Sequence, residues 1–316
     1  MVIEPYPSYF SPTHPDLLTP LLTHDAISAD FERGITPIVV YPETISGNPL
    51  RAPCVVRYVM NFPGLLGGDI RFGSDELCFG YSSALAQAVG APDNVLFIPA
   101  SDIDLFTPEP RVPRRGTCFF AGKYRDFHGG KLLPITADSV EITRDRPDSL
   151  TPAKIAELFR RSELLYCYEN SALAIEAVLC ECPVVFLPNR YLTRVIAEKE
   201  LGLDGYAWGA DQAEIARAKA TVVQGRSNYL RSYRTFWEQL ERFVTVTQIK
   251  AKSKPYERAI HSHSVNQPTA THELQTLART ALFVYRQYGW LGVGRKAIKR
   301  LVRMVLRTPG PTKPRW

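Results

Sequence analysis

The stretch Glu163–Pro188, ELLYCYENSALAIEAVLCECPVVFLP, decides the fold. Leu164–Tyr168 is a short apolar run that predicts a buried strand. A polar Glu-Asn-Ser turn follows. Ser171–Cys180 is then apolar on nearly every side, which predicts a buried helix, and Val184–Leu187 predicts the next strand. Strand, helix and strand at these lengths require a crossover, so the strands run parallel.

Working outward, the same alternation continues. Strand Thr117–Ala121, a glycine-bearing loop Gly122–Gly130, strand Ser139–Thr143 and helix Pro152–Arg161 precede the stretch, and helix Tyr191–Glu200 follows it. This is the pattern of a doubly wound domain. A smaller α/β block stands before it: strands Pro37–Tyr41, Cys54–Met60, Glu76–Gly80 and Asn94–Ile98, with helix Ser82–Val89 opened by a serine cap. Pro99–Pro110, with three prolines in PASDIDLFTPEP, predicts a linker, because proline restricts itself and its predecessor. Gln212–Ala218 and Tyr229–Val246 predict helices, and Tyr233, Phe236, Trp237 and Phe243 on the second read as core or domain-bridging contacts. Ser253–Thr271, with His261 and His263, is polar and reads as a flexible linker. A helix pair near Leu277–Tyr288 and Val293–Arg307 closes the chain. The expected organisation is an N-terminal domain over 1–100, a linker over 101–112, a second domain over 113–248, a linker over 249–272 and a helical tail over 273–316.

At 316 residues the chain can bury two cores. Its six cysteines form no CxxC pair and sit in apolar segments, which suits buried thiols in a reducing compartment; Cys180-Glu-Cys182 reads as packing. The start MVIEP has neither a basic n-region nor an apolar h-region, and no run of apolar residues is long enough to span a membrane. The net charge of +6 is uneven: ten Lys and Arg follow Glu273 with no acid among them, so the body is mildly acidic and the tail strongly basic.

The helix that opens at Ser171 or Asn170 is the candidate binding site. Either side chain can cap the orphan N–H groups, and a helix start at the carboxyl end of a parallel strand attracts an anion. Ser171 and Ala172 are small enough for a phosphate to approach. Glu176 lies about 7.5 Å further along the axis, roughly the distance from a diphosphate to its ribose. A carboxylate there can accept from both ribose hydroxyls, as an acid does in dinucleotide folds. The alternative is a solvated helix glutamate, which the apolar neighbours Ile175, Ala177 and Val178 disfavour.

These residues resemble the donor motif of GT-B glycosyltransferases, especially those that build bacterial surface polysaccharides (the glycosyltransferase 1/4-like group). Glu176-Ala177, Cys180-Glu181 and Pro183-Val184-Val185 match it, Glu181 standing where the family has glycine. The resemblance spans roughly residues 37–245. It takes in Asp104, Phe106 and Pro108 as the interdomain stretch and Phe119-Phe120-Ala121-Gly122-Lys123 as the first strand and loop of the donor domain. It implies an α/β GT-B fold of two Rossmann-like domains, the N-terminal one reduced, with a basic helical tail. It also implies that Glu176 holds the ribose and the Ser171 turn the diphosphate. The two family glutamates stand one position further apart than Glu169 and Glu176, so either Glu169 or, in an ungapped match, Tyr168 would meet the sugar. Lys123 would neutralise the donor phosphates, with Arg125, Lys131 and Arg144 as rivals. The donor set is thus Gly122, Lys123, Arg125, Arg144, Tyr168, Glu169, Asn170, Ser171, Ala172 and Glu176.

Asp102-Ile103-Asp104 has the form of a DxD metal motif, but its proline-rich setting fits the linker of a metal-independent GT-B enzyme. No metal or cofactor is therefore expected, the sugar nucleotide being substrate. A catalytic base would come from the N-terminal half, where His14, Asp16, His24 and Asp25 are the candidates. Over residues 290–307 apolar and basic side chains interleave at helical spacing. That composition suits a helix lying on anionic lipid, or one packed on the body with a solvated basic face. No recognition module for nucleic acid accompanies the charge. The expected protein is a cytoplasmic hexosyltransferase, peripheral on the inner face of the membrane. It would pass a sugar from a nucleotide diphosphate to a saccharide or lipid-linked acceptor in polysaccharide (lipopolysaccharide) biosynthesis. A non-catalytic, membrane-associated sugar-nucleotide binder with a degenerate acceptor half is the alternative, and a sugar-nucleotide epimerase a more distant one.

Overall fold

The computed structural model describes residues 29–254, apart from 31 and 145. His14, Asp16, His24, Asp25, the histidines of the polar segment and the basic tail lie outside the described residues. In chain order the elements are β1 (Ile38–Pro42), β2 (Cys54–Val59), β3 (Leu77–Gly80), α1 (Ser83–Ala88), β4 (Thr117–Phe120), α2 (Gly122–Asp126), a 3-10 turn (Pro134–Thr136), β5 (Val140–Glu141), α3 (Pro152–Arg161), β6 (Leu164–Cys167), α4 (Ala172–Leu179), β7 (Val184–Phe186), α5 (Glu198–Leu201), β8 (Tyr206–Trp208) and α6 (Gln212–Lys252). The protein is α/β, with two parallel sheets of Rossmann-like construction.

The described chain divides into two compact units. The first holds the chain to Ala100, Arg194–Asp204 and α6 from Gln224; the second holds Ser101–Thr193 and Gly205–Val223. The second domain expected as one run over 113–248 is therefore interrupted. Tertiary contacts explain why: Phe236, Leu240 and Phe243 of α6 pack on Val56, Phe79 and Leu96 in the first unit. Of the four aromatics expected to be buried on this helix, Phe236 and Phe243 reach that core, whereas Tyr233 and Trp237 are exposed.

In the first unit β1, β2 and β3 pair in parallel. Gly80 ends β3 because α1 comes too close for any side chain: an added Cβ would lie 2.2 Å from the Ala86 amide nitrogen. The strand expected over Asn94–Ile98 is reduced to a bridge between Gly80 and Val95, since β3 ends there and the Phe97 N–H turns to Gln239 Oε1 at 2.7 Å instead.

The second unit carries a five-stranded sheet in the order β5-β4-β6-β7-β8, every neighbouring pair parallel. Central β6 is buried at all four positions, as a strand covered on both faces must be. Helix α3 begins at Pro152 behind a Thr151 cap and buries Ile155, Ala156 and Phe159. Helix α4 is capped by Ser171, whose Oγ accepts from the Leu173 N–H at 3.3 Å; Ser171 rather than Asn170 takes that role. The helix closes with Glu181 in the left-handed region at φ 56°. The Cys182 N–H there donates to Ala177 O and the Glu181 N–H to Val178 O, a Schellman ending. This left-handed position is where the resembled motif has glycine. Arg114 then donates to Phe159 O, Ser162 O and Cys180 O, tying together the ends of α3 and α4.

Four further expectations are corrected. The proline-rich segment is no free tether: Arg160 donates to Leu105 O and Thr107 O, and Phe106 is buried. The loop after β4 contains helix α2. The helix expected over Tyr191–Glu200 shrinks to α5, because Asn189 Oδ1 accepts from the Tyr191 and Leu192 N–H groups and holds a turn instead. The two helices expected between residues 212 and 246 are one, α6. Strand β8 was not anticipated. No disulfide joins the six cysteines, and among the described residues no helix is long and apolar enough to cross a membrane.

Candidate functional site

In the five-stranded sheet the chain winds from β4 outward to β5, then returns past β4 to lay down β6, β7 and β8. The winding therefore reverses between β4 and β6. In open parallel sheets ligands bind outside the carboxyl ends of the strands at such a switch point. The loops leaving β4 and β6 are Ala121–Gly130 and Tyr168–Ser171, the two segments that hold most of the sequence-derived donor set.

The two loops meet through Glu169. Its Oε2 accepts from the Tyr124 N–H at 2.9 Å, in the first turn of α2, and its Oε1 lies 3.4 Å from Lys123 Nζ. The carboxylate thus caps α2 from outside the helix. This explains why a glycine-bearing loop becomes helical with no capping side chain of its own. Gly122 makes the approach possible: at φ +36° an added Cβ would stand 2.5 Å from Phe120 Cζ and 3.1 Å from Glu169 Oε1. Burial pushes the Glu169 carboxyl up, while Lys123 and the α2 amides pull it down; burial prevails. Lys123 itself is 56% exposed at its side chain, so its ammonium is open to a ligand.

Tyr168 is a core residue. It is 1% exposed and stacks on Tyr124 at 5.1 Å between ring centroids. Its hydroxyl accepts from the Leu133 N–H at 2.7 Å and meets Thr136 Oγ1 at 2.9 Å. The side chain is spent on holding the 3-10 turn, which removes it as the residue that meets a sugar. Asn170 stays in the turn, and Ala172 is the exposed first residue of α4.

Glu176 faces inward from α4 and is 7% exposed. Arg144, just beyond β5, reaches it with Nη2 2.8 Å from Oε2. Burial still raises the Glu176 carboxyl above its ordinary range, with Arg144 only partly offsetting it. The Arg144 side chain remains 46% exposed, so the pair is open to solvent on the arginine side. Two members of the donor set thus turn out to be partners. Arg125 goes elsewhere, pairing with Glu141 at 2.5 Å and Asp126 at 3.0 Å, which withdraws it from the phosphate role. In the would-be metal motif, Asp102 Oδ1 accepts from the Asp104 and Leu105 N–H groups and holds its own turn.

Three residues at this edge escaped the sequence reading. His128, after α2, stacks on Tyr191, after β7, at 3.8 Å, and Arg190 lies over the same tyrosine. Burial, Arg190 and Lys123 all lower the His128 pKa, which favours the neutral imidazole. The available signal was positional: each follows a strand of the parallel sheet. What the arrangement offers is a capped helix start, two solvent-facing cations in Lys123 and Arg144, and a buried carboxylate held by one of them. That combination can bind a phosphorylated ligand that also carries hydroxyls.

No family model and no curated protein matches this chain. The resemblance to glycosyltransferases therefore rests on the motif residues of the sequence alone.

Proposed function

We propose that the second unit binds a nucleotide-diphosphate sugar at the β4/β6 switch point and that the protein is a metal-independent glycosyltransferase of GT-B type. The observation that carries this reading is the convergence of the capped α4 start, Glu176 and Lys123 on the carboxyl edge of one doubly wound sheet. The N–H groups of α4 and the Lys123 ammonium would take the diphosphate, and Glu176 would accept from the ribose hydroxyls. As the glycosidic bond breaks, charge grows on the leaving diphosphate, and pre-positioned donors stabilise that charge more than the ground state. Glu169, already engaged with α2, would orient Lys123 and the loop rather than contact the sugar. The parallel sheet of the first unit supports a second Rossmann-like half on the acceptor side. A saccharide or lipid-linked molecule is the proposed acceptor, and residues 290–307 are the segment proposed to meet an anionic membrane.

Calorimetry of the full chain against UDP-, GDP- and dTDP-sugars tests the donor reading. Binding of one nucleotide series, weakened by Glu176→Ala, is expected; no binding, or binding indifferent to that change, overturns it. The alternative of a binder without catalysis draws on the small three-stranded sheet of the first unit. Sugar transfer or donor hydrolysis by the full chain would exclude it. Flotation with anionic vesicles should carry the full chain but not one ending at Thr271.

A further inference from the structure

The first unit contains a groove of about 610 Å³, within the range of small-molecule sites. It lies where α1, α5 and the first-unit part of α6 come together, and Glu200 is part of its lining. Glu200 Oε1 accepts from both the N–H and the hydroxyl of Ser83, at 2.7 and 2.6 Å, so the carboxylate caps α1. Its other oxygen, Oε2, is buried with no hydrogen-bond partner among the described residues. Leaving a buried acceptor unmatched is costly. Glu200 belongs to the groove's lining, so this unmatched acceptor lies beside any ligand held there.

The helix wall opposite has the same character. Ser232 Oγ donates its proton to Tyr229 O at 2.8 Å, and Thr235 Oγ1 donates to Ser232 O at 3.0 Å. Each hydroxyl has one proton, so both present only lone pairs to the groove. Together with Glu200 these are acceptors that call for donors on the ligand, while the Gln239 amide, its oxygen taken by the Phe97 N–H, leaves its NH2 as a donor. Two classes supply ligand donors, ammonium groups and hydroxyls. Lys199 and Arg231 also line the groove, and their charge disfavours an ammonium while their N–H groups can serve the oxygens of a polyol. Phe97, buried beneath, offers an apolar floor.

We infer that this groove binds a polyhydroxylated ligand, a saccharide, with Glu200 accepting from one of its hydroxyls. The inference extends the acceptor side of the proposed function but stands on separate residues. Donor binding is read through Glu176, this groove through Glu200, and either can fail without the other.

Ligand-observed NMR on the full chain tests it, with the methyl glycosides of glucose, galactose and mannose as probes. At least one should bind. Glu200→Gln, which keeps the oxygen that Ser83 needs but replaces the other by a donor, should weaken that binding about tenfold or more. Thr235→Val, on an exposed helix position and so without risk to folding, should weaken it severalfold. The methyl glycoside of 2-amino-2-deoxyglucose should bind less well than that of glucose. Absence of binding by all three sugars, binding unmoved by both substitutions, or preference for the amino sugar would each overturn the assignment.

Discussion

Each unit pairs a glutamate with an arginine, and the two pairs are built differently: in the first the arginine is the buried member, in the second the glutamate. In the first unit Arg57 forks onto Glu76, with Nε 2.6 Å from Oε2 and Nη2 2.9 Å from Oε1. Its Nη1 and Nη2 also donate to Ile45 O and Gly47 O, and Tyr41 and Phe72 flank its plane. The guanidinium is fully enclosed, its side chain 1% exposed. In the second unit Arg144 touches Glu176 end-on and stays half in solvent. The Arg57 pair has its hydrogen-bonding capacity used within the fold and is a structural fastening for the segment around Ile45–Gly47. The Arg144 pair holds a desolvated carboxylate with a partner that can let go. A ligand can use the second arrangement and has no access to the first.

The largest effect should come from breaking the enclosed pair. Arg57→Ala should destabilise the protein by about 3–5 kcal/mol, because Glu76 and two backbone carbonyls lose their partner together. Urea unfolding measures this, and a loss near zero would erase the contrast. Glu176→Gln should instead leave the fold intact and lower donor affinity about tenfold or more, the worth of a charged hydrogen bond; calorimetry reads it.

The same variant carries a pH signature. Since the folded-state pKa of Glu176 is raised, the native chain holds that proton more tightly than the unfolded chain. Its stabilising contribution is present at low pH and lost as pH rises through the raised pKa. The stability of Glu176→Gln relative to the parent should therefore grow as pH rises above about 4.3, the ordinary glutamate value. A constant difference would mean that Arg144 compensates the burial of Glu176 completely. Ser171→Ala should cost about 1 kcal/mol by uncapping α4, visible in thermal unfolding. Lys123→Ala should be the mildest for stability, under about 1 kcal/mol, since its contact with Glu169 is exposed. Its donor affinity should fall in a salt-dependent manner, because the lost attraction is screened.

How much of this was legible depended on how local each cause is. Helix α3 lies where the sequence predicts it, since a threonine cap, a proline at the first position and a 3.6-residue apolar period all act within ten residues. The buried run of β6 and the cap of α4 are equally local. Helix α2 was illegible because its cap, Glu169, lies more than forty residues away in sequence. The Tyr191–Glu200 error had a short-range source, since Asn189 competes for the N–H groups that a helix would need. Within the candidate site, residue types pointed to Glu176 and Ser171. Nothing in the spacing could foresee that Arg144 would meet Glu176, that Arg125 would be drawn off by Glu141, or that Tyr168 would turn inward.

The sequence by itself determined a parallel α/β protein with a buried helix, capped by Ser171 or Asn170, after a buried strand, because strand length, helix period and capping are properties of adjacent residues. The tertiary structure alone decided the strand order that puts a switch point between β4 and β6. It also decided which cations are committed to ion pairs and which face outward, and which arginine, of Arg57 and Arg144, is closed off. Those outcomes depend on charges and hydrogen-bonding groups brought together from distant parts of the chain, where burial sets the cost of leaving any one of them unmatched.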